Sequence, residues 1–183
     1  MNTSIYNDLA KAVVVSNTNL PNQVFNKKFD QYLFFDSSLR ATGGISVALK
    51  NILNQVGASQ ARAAIFTSIT NDFLMCLNEK DEWEESWKAL DKKLFDSLVA
   101  ESFTVISLGE DWAAFQYYPV DIGIIGFGKS KLPFLLENEA VDFFSCTDIL
   151  AWYASGTDED AQKVKYYGKE FLDMLLKNYK SNM

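Results

Sequence analysis

Residues 103–127 read FTVISLGEDWAAFQYYPVDIGIIGF, and this stretch decides the fold class. Residues 103–108 and 112–118 are rich in the β-branched and aromatic residues that favour strands. Between them Gly109-Glu110-Asp111 has the composition of a hairpin turn. Residues 120–127 follow at once and predict a third strand. Because turns this short join neighbouring antiparallel strands, the pattern predicts an antiparallel sheet at the centre of the chain.

Further strands are predicted on both sides of this run. Apolar stretches bounded by turn residues predict strands at 63–69 and 73–77, on either side of Thr70-Asn71-Asp72, and at 134–136 and 140–144. The type of residues 21–36 stays open. Phe25, Phe29 and Tyr32 have helical spacing, whereas the run 32–35 has strand composition.

Apolar residues recur at helical spacing in the rest of the chain. The ranges are 4–14, 45–56, 81–98, 147–154 and 158–179, with Ser4, Thr147 and Thr157 as candidate N-caps and Gly57 as a stop. The predicted core faces are Ile5, Leu9, Ala12 and Val13; Ile45, Leu49, Ile52, Leu53 and Val56; Trp83, Trp87, Leu90, Leu94 and Leu98; and Val164, Tyr167, Phe171, Met174 and Leu175.

The order of these elements predicts an α+β fold, with 1–183 as a single globular domain. A mostly antiparallel sheet of about 5–7 strands is flanked by N-terminal, central and C-terminal helices. A chain of 183 residues is long enough to bury a core without disulfides or metals. The pattern contains no internal repeat or linker composition.

The composition excludes several kinds of chemistry. The chain has no His, which removes the commonest general base and zinc ligand, so no catalytic, metal or cofactor site is predicted. The two cysteines, Cys76 and Cys146, lie in apolar surroundings and are expected to be buried thiols in a reducing compartment. The start has neither a basic region nor a long apolar run, and no stretch is long enough to span a membrane. A cytoplasmic location is expected.

One motif matches a known pattern. Gly123 to Ser130 reads GIIGFGKS and satisfies G-x-x-x-x-G-K-[ST], the phosphate-binding loop. That loop needs a helix that begins at the Lys-Ser pair, but Pro133 follows three residues later. The positions between the glycines are apolar, as in a buried strand. The string is therefore predicted to be a strand whose glycines allow close packing, and nucleotide binding is not expected.

Charge is distributed unevenly along the chain. The net charge is −7 from 24 acids and 17 bases. Residues 72–111 hold eleven acids and four bases, and residues 132–162 hold seven acids and no base, so each stretch carries −7. Direct nucleic-acid binding is disfavoured, because it requires Lys and Arg to neutralise phosphates. The acidic stretches predict a basic protein partner.

Acids and aromatics of these stretches are the candidate binding residues. Asp158, Glu159 and Asp160 sit at a helix start, and Tyr166 is expected on the side of its helix opposite the core. The full predicted partner-binding set is Asp142, Asp148, Trp152, Tyr153, Asp158, Glu159, Asp160 and Tyr166, with Asp81 and Glu85 from the first stretch.

In general character, the chain is similar to bacterial immunity proteins that block nuclease toxins of contact-dependent or type VI systems. The shared features are small size, acidity and many aromatic residues, with no catalytic constellation. The similarity implies an acidic surface that occupies the basic groove of a cognate toxin. Two alternatives stay open: a phage-type nucleic-acid mimic that inhibits a host nuclease, and a small nucleotide-using or acid-based hydrolase.

Overall fold

Antiparallel strands form one sheet at the centre of the molecule. The computed structural model describes residues 3–39, 44–55, 62–78, 81–96, 103–109, 111–116, 122–128 and 141–180. Within them the strands are β1 Gln31–Asp36, β2 Arg62–Thr67, β3 Phe73–Asn78, β4 Phe103–Ser107, β5 Trp112–Gln116, β6 Ile122–Phe127 and β7 Phe143–Phe144. Their order is β3-β2-β4-β5-β6-β1-β7, and neighbouring strands pair antiparallel. The predicted α+β class and antiparallel sheet are confirmed.

Helices cover both faces of this sheet. They are α1 Thr3–Val13, α2 Ile45–Gln55, α3 Trp83–Asp96, α4 Cys146–Ser155, α5 Asp158–Tyr167 and α6 Lys169–Tyr179. Helices α2 and α3 pack on one face, and α1 and α4–α6 pack on the other. Neighbouring strand residues point to opposite faces, so Phe34 and Phe35 join different cores. Because both faces are buried, the central strands are continuous apolar runs.

The GIIGFGKS string begins within the sheet. Residues 123–127 lie in β6, which pairs with β1 on one side and β5 on the other. Most of the backbone N–H groups that a phosphate loop would offer therefore face neighbouring strands. A Cβ on Gly123 would lie 2.0 Å from the Phe35 ring, which explains the glycine. The strand prediction is confirmed there, and Lys129 and Ser130 lie outside the described residues.

The last predicted helix is broken in two. Gly168 has φ +85° and ψ 127°, which ends α5 at Tyr167 and starts α6 at Lys169. The break shifts the helical phase, so the predicted face is only partly correct. Val164, Tyr167 and Phe171 are half-buried and Leu175 is fully buried, but Met174 is 40% exposed. Leu172 and Tyr179 are buried in addition.

The face of α1 also differs from the prediction. The helix begins at Thr3, so Ser4 lies inside its first turn rather than capping it. Tyr6 stacks on Phe73 of the edge strand β3, which turns Ala10 and Val13 inward. Ile5 and Ala12 are consequently exposed, and Leu9 is half-buried.

Other boundaries move by a few residues. Of the open range 21–36, residues 31–36 are strand, whereas 21–30 are turns and irregular structure with one isolated bridge at Phe25. The strand predicted at 140–144 is only Phe143–Phe144, and Ser145 rather than Thr147 caps α4. Trp83, Trp87, Leu90 and Leu94 are buried as predicted. Predictions for the side chains of 52 and 53, and for residues 56, 57, 98 and 134–136, lie outside the described positions.

Candidate partner-binding site

The site forms where the sheet ends and the C-terminal helices begin. Strand β7 pairs with β1, which places Phe144 opposite Phe34. Helix α4 starts directly afterwards, because Ser145 caps it. The Ser145 side chain accepts from the backbone N–H groups of Thr147 and Asp148, and the Asp148 carboxylate accepts from the Ser145 N–H at 2.7 Å. This capping box fixes the direction in which α4 leaves the sheet.

Four aromatic rings from three elements meet at this point. Phe144 lies 5.1 Å from Trp152 and 5.2 Å from Tyr167, between ring centroids. Trp152 and Tyr167 stack at 5.9 Å with an interplanar angle of 10°. Tyr166 meets Tyr167 edge-on at 4.9 Å. Ring pairs at these distances add to the stabilisation from burial.

Tyr166 is the exposed end of this array. Its side chain is 72% exposed, as its position opposite the core face of the helix predicts. The next residue, Tyr167, points inward and is half-buried. A large aromatic held on a packed ring, with its hydroxyl in water, has the properties of an interface anchor.

Two carboxylates lie beside the half-buried Tyr167. The Tyr167 hydroxyl donates to Asp36 Oδ2 at 3.1 Å. Burial raises the pKa of Tyr167 well above its ordinary value, and the nearby Asp36 and Asp142 carboxylates raise it further. Asp142 is exposed. The aromatic–acidic patch is defined here as Asp36, Asp142, Phe144, Trp152, Tyr166 and Tyr167.

The acidic first turn of α5 borders the patch. Thr157 caps the helix as predicted, because its hydroxyl accepts from the Asp160 N–H. Hydrogen bonds from Ser155 and Thr157 to the Asp160 carboxylate lower its pKa below the ordinary range. Lys163 pairs with Glu159 at 2.9 Å and lies 5.7 Å from the centre of the Trp152 ring. Lys163 therefore joins the acidic turn to the aromatic array.

Tyr153 and Asp148 belong neither to the aromatic–acidic patch nor to the acidic first turn of α5. Tyr153 follows Trp152 on α4 and so points about 100° away, toward α6. Its hydroxyl donates to Asp173 Oδ1 at 2.9 Å, and burial with this bond raises its pKa to about 12. Asp148 is exposed but engaged in the capping box. Their roles in the structure are to join α4 to α6 and to start α4.

Asp81 and Glu85 lie on the other side of the sheet. Asp81 Oδ2 accepts from the Asn78 N–H at 2.8 Å, at the start of α3, and Glu85 is exposed on that helix. Helix α3 packs in the core that also holds α2, whereas α4–α6 pack in the opposite one. The acidic residues of α3 and those around the patch therefore occupy different faces.

The sequence missed three contributors to the site. Asp36 ends β1, inside the stretch whose type was open, and Tyr167 and Phe144 look like core residues. Asp36 and Tyr167 lie 131 residues apart, so no local spacing connects them. The signal that existed is the pair Tyr166-Tyr167, because adjacent aromatics on a helix cannot share one face.

The remaining chemistry of the described residues is limited. Cys76 and Cys146 are free thiols, both partly buried, and burial raises the pKa of Cys146 to about 11. Among the residues placed by the structure, no three His, Cys, Asp or Glu side chains are grouped to hold a metal ion. Nor does that part contain a helix long and apolar enough to cross a membrane. No protein-family model, curated protein or solved structure matches the chain.

Proposed function

We propose that this chain is a cytoplasmic, acidic binding protein that neutralises a basic protein partner, in the manner of an immunity protein that blocks a nuclease-type toxin. The aromatic–acidic patch is its binding surface. No catalytic role is assigned to the chain.

The observation that carries the proposal is the exposed Tyr166, in contact with a packed aromatic array beside carboxylates. Protein interfaces are dominated by a few aromatic anchors, and a rim of complementary charge speeds association. Asp142 and Asp158 are exposed and form no ion pair with the described residues, so they suit such a rim. A basic partner would be attracted by the rim and held by the anchor.

The same residues give less support to the alternative function, a nucleic-acid mimic that inhibits a nuclease. A mimic must present free carboxylates in a row, at a spacing close to that of phosphates. Asp148 and Asp160 are instead held by N-cap hydrogen bonds, and Glu159 is paired with Lys163. These contacts favour a partner that recognises a compact patch.

Affinity capture from the source cell tests the proposal, with Tyr166→Ala compared with Phe95→Ala. Both side chains are 72% exposed, but Phe95 lies on α3, on the opposite face of the sheet. We expect wild type and Phe95→Ala to retain one basic protein, and Tyr166→Ala to lose it. The captured protein should cleave nucleic acid, and equimolar wild-type chain should stop the cleavage. An acidic partner, or equal capture by both variants, would contradict the proposal.

A further inference from the structure

A cleft of about 610 Å³ opens where residues 23–32 meet the end of α6. Small-molecule sites in proteins typically measure about 300–1,000 Å³. Phe25, Phe29 and Tyr179 are among its lining residues and are no more than 3% exposed, and the half-buried Tyr32 ring lies beside them. The aromatic surface that the cleft presents is therefore that of Tyr32.

Hydrogen bonds hold the walls of the cleft in place. The Tyr179 hydroxyl accepts from the Val24 N–H at 2.9 Å and donates to the Asn22 carbonyl. Asn178 Nδ2 donates to the Pro21 carbonyl at 2.7 Å, and Asn26 Nδ2 donates to the Lys11 carbonyl at 2.8 Å. These bonds tie α6 and α1 to residues 21–26. A site with walls fixed in this way loses little entropy when a ligand binds.

The charge of the cleft is opposite to that of the whole molecule. Lys28 and Lys180 line it from its two sides and are exposed, and neither forms an ion pair within the described part of the chain. Asp30 is its single acidic lining residue among those described. A protein with a net charge of −7 thus places two ammonium groups at one concave site. Cationic groups in a cleft concentrate anions there.

The cleft is separate from the aromatic–acidic patch. Gln31 and Tyr32, at the start of β1, line the cleft, whereas Asp36, at the end of that strand, belongs to the patch. Five residue steps along a strand cover about 17 Å. A ligand in the cleft would leave Tyr166 free.

We propose that this cleft is a binding site for a small molecule that combines an aromatic ring with a phosphate or carboxylate group. The ring packs on Tyr32. The anion lies between Lys28 and Lys180 and accepts charge-assisted hydrogen bonds from their ammonium groups. The amide side chains of the walls provide polar contacts to the rest of the ligand.

Amide NMR titration of the full chain tests this site with four probes: phenyl phosphate, benzoate, inorganic phosphate and benzyl alcohol. The first two carry both a ring and an anion, and comparing them distinguishes phosphate from carboxylate. We expect at least one of these two to give saturable shifts centred on residues 25–32 and 178–180. Inorganic phosphate lacks the ring and benzyl alcohol lacks the anion, so each should bind at least about tenfold more weakly.

The test variant combines Lys28→Ala with Lys180→Ala. Its control is Lys92→Ala, which changes an exposed lysine of α3. The double variant should weaken binding about tenfold or more, and Lys92→Ala should leave it unchanged. Unchanged amide shifts outside the cleft in the ligand-free double variant establish that it is folded. The proposal is overturned if neither ring-bearing anion gives saturable shifts, if the shifts centre elsewhere, or if the double variant binds as well as wild type.

Discussion

At the scale of single residues, the packing of β6 depends on two glycines, which have no side chain. Gly123 and Gly126 face the rings of Phe35 and Phe29, and a Cβ at either position would lie 2.0 Å or 2.3 Å from ring atoms. Both neighbours are buried aromatic side chains. The glycines that resemble a phosphate loop in the sequence are therefore explained by close packing.

Replacing Gly123 by Ala should lower the free energy of unfolding by about 1–3 kcal/mol or more, because the added methyl group overpacks the core. Gly128→Ala is the matched control, since its Cβ would meet nothing nearer than 3.7 Å. Urea unfolding measures both variants. Equal midpoints for the two would mean that the Phe35 ring adapts without cost.

Trp87 is one of the largest fully buried side chains of the α2–α3 core. It is fully buried, stacks on Trp83 at 6.0 Å, meets Phe103 edge-on and donates its indole N–H to the Leu39 carbonyl. Trp87→Ala should cost about 3–5 kcal/mol, as other large-to-small core changes do. Phe95→Ala, on the same helix but 72% exposed, should change thermal stability little. A Trp87→Ala variant that melts like wild type would contradict this assignment.

Tyr153 makes a pH-dependent link between α4 and α6. Its pKa is raised to about 12 in the folded chain, so the fold is stabilised by the neutral hydroxyl that donates to Asp173. This contribution is complete below the ordinary value of 10.0 and is lost as the pH rises toward 12. The stability advantage of wild type over Tyr153→Phe should therefore shrink between about pH 10 and pH 12 in urea titrations. An advantage that is constant with pH would show that the hydroxyl does not titrate in this range.

At the scale of elements, two places matter: the edge strand β3 and the break between α5 and α6. The edge strand β3 has an apolar sequence, but its pairing with β2 shifts register between Ile65 and Phe66. At its far end the Asn78 carbonyl accepts from the Trp83 indole and the Asp81 N–H. Irregular pairing and satisfied backbone groups are ways in which proteins protect an edge from unwanted pairing.

Gly168 separates α5 from α6 and so positions the patch. Its φ of +85° strains any other residue, although a Cβ added there would meet nothing within 4 Å. Gly168→Ala should therefore destabilise the chain by about 1–3 kcal/mol through the backbone alone. Gly156→Asn is the control, because φ +65° at that helix end is a conformation that Asn tolerates. Thermal melting compares the two, and equal melting temperatures would count against the strain.

At the scale of the whole molecule, the charges are separated by the sheet and along β1. The acids of α3 and those of α5 lie on opposite faces, and the lysine-bearing cleft lies at the other end of β1 from Asp36. A basic partner and an anionic ligand would therefore meet different regions. Such separation lets one small protein offer attractive fields of both signs.

Charge reversal at the patch tests its electrostatic role. Asp142→Lys with Asp158→Lys should slow association with the captured basic partner and flatten the dependence of the association rate on salt. Glu82→Lys with Glu85→Lys is the control, because it removes one acid just before α3 and one in its first turn. Stopped-flow mixing at several salt concentrations measures both. A slower rate for the α3 pair alone would move the interface to that face.

What the sequence determined is local. The strand character of 103–127, the buried face of α3, the Thr157 cap and the outward direction of Tyr166 follow from composition and periodicity, which act over a few residues. The tertiary structure alone decided that Asp36 meets Tyr167, that the acids of α3 and those of α5 lie on opposite faces, and that Lys28 and Lys180 share a cleft. Those contacts depend on strand order and on which face each helix covers. Both are set by long-range packing, and the spacing of residues along the chain carries no record of it.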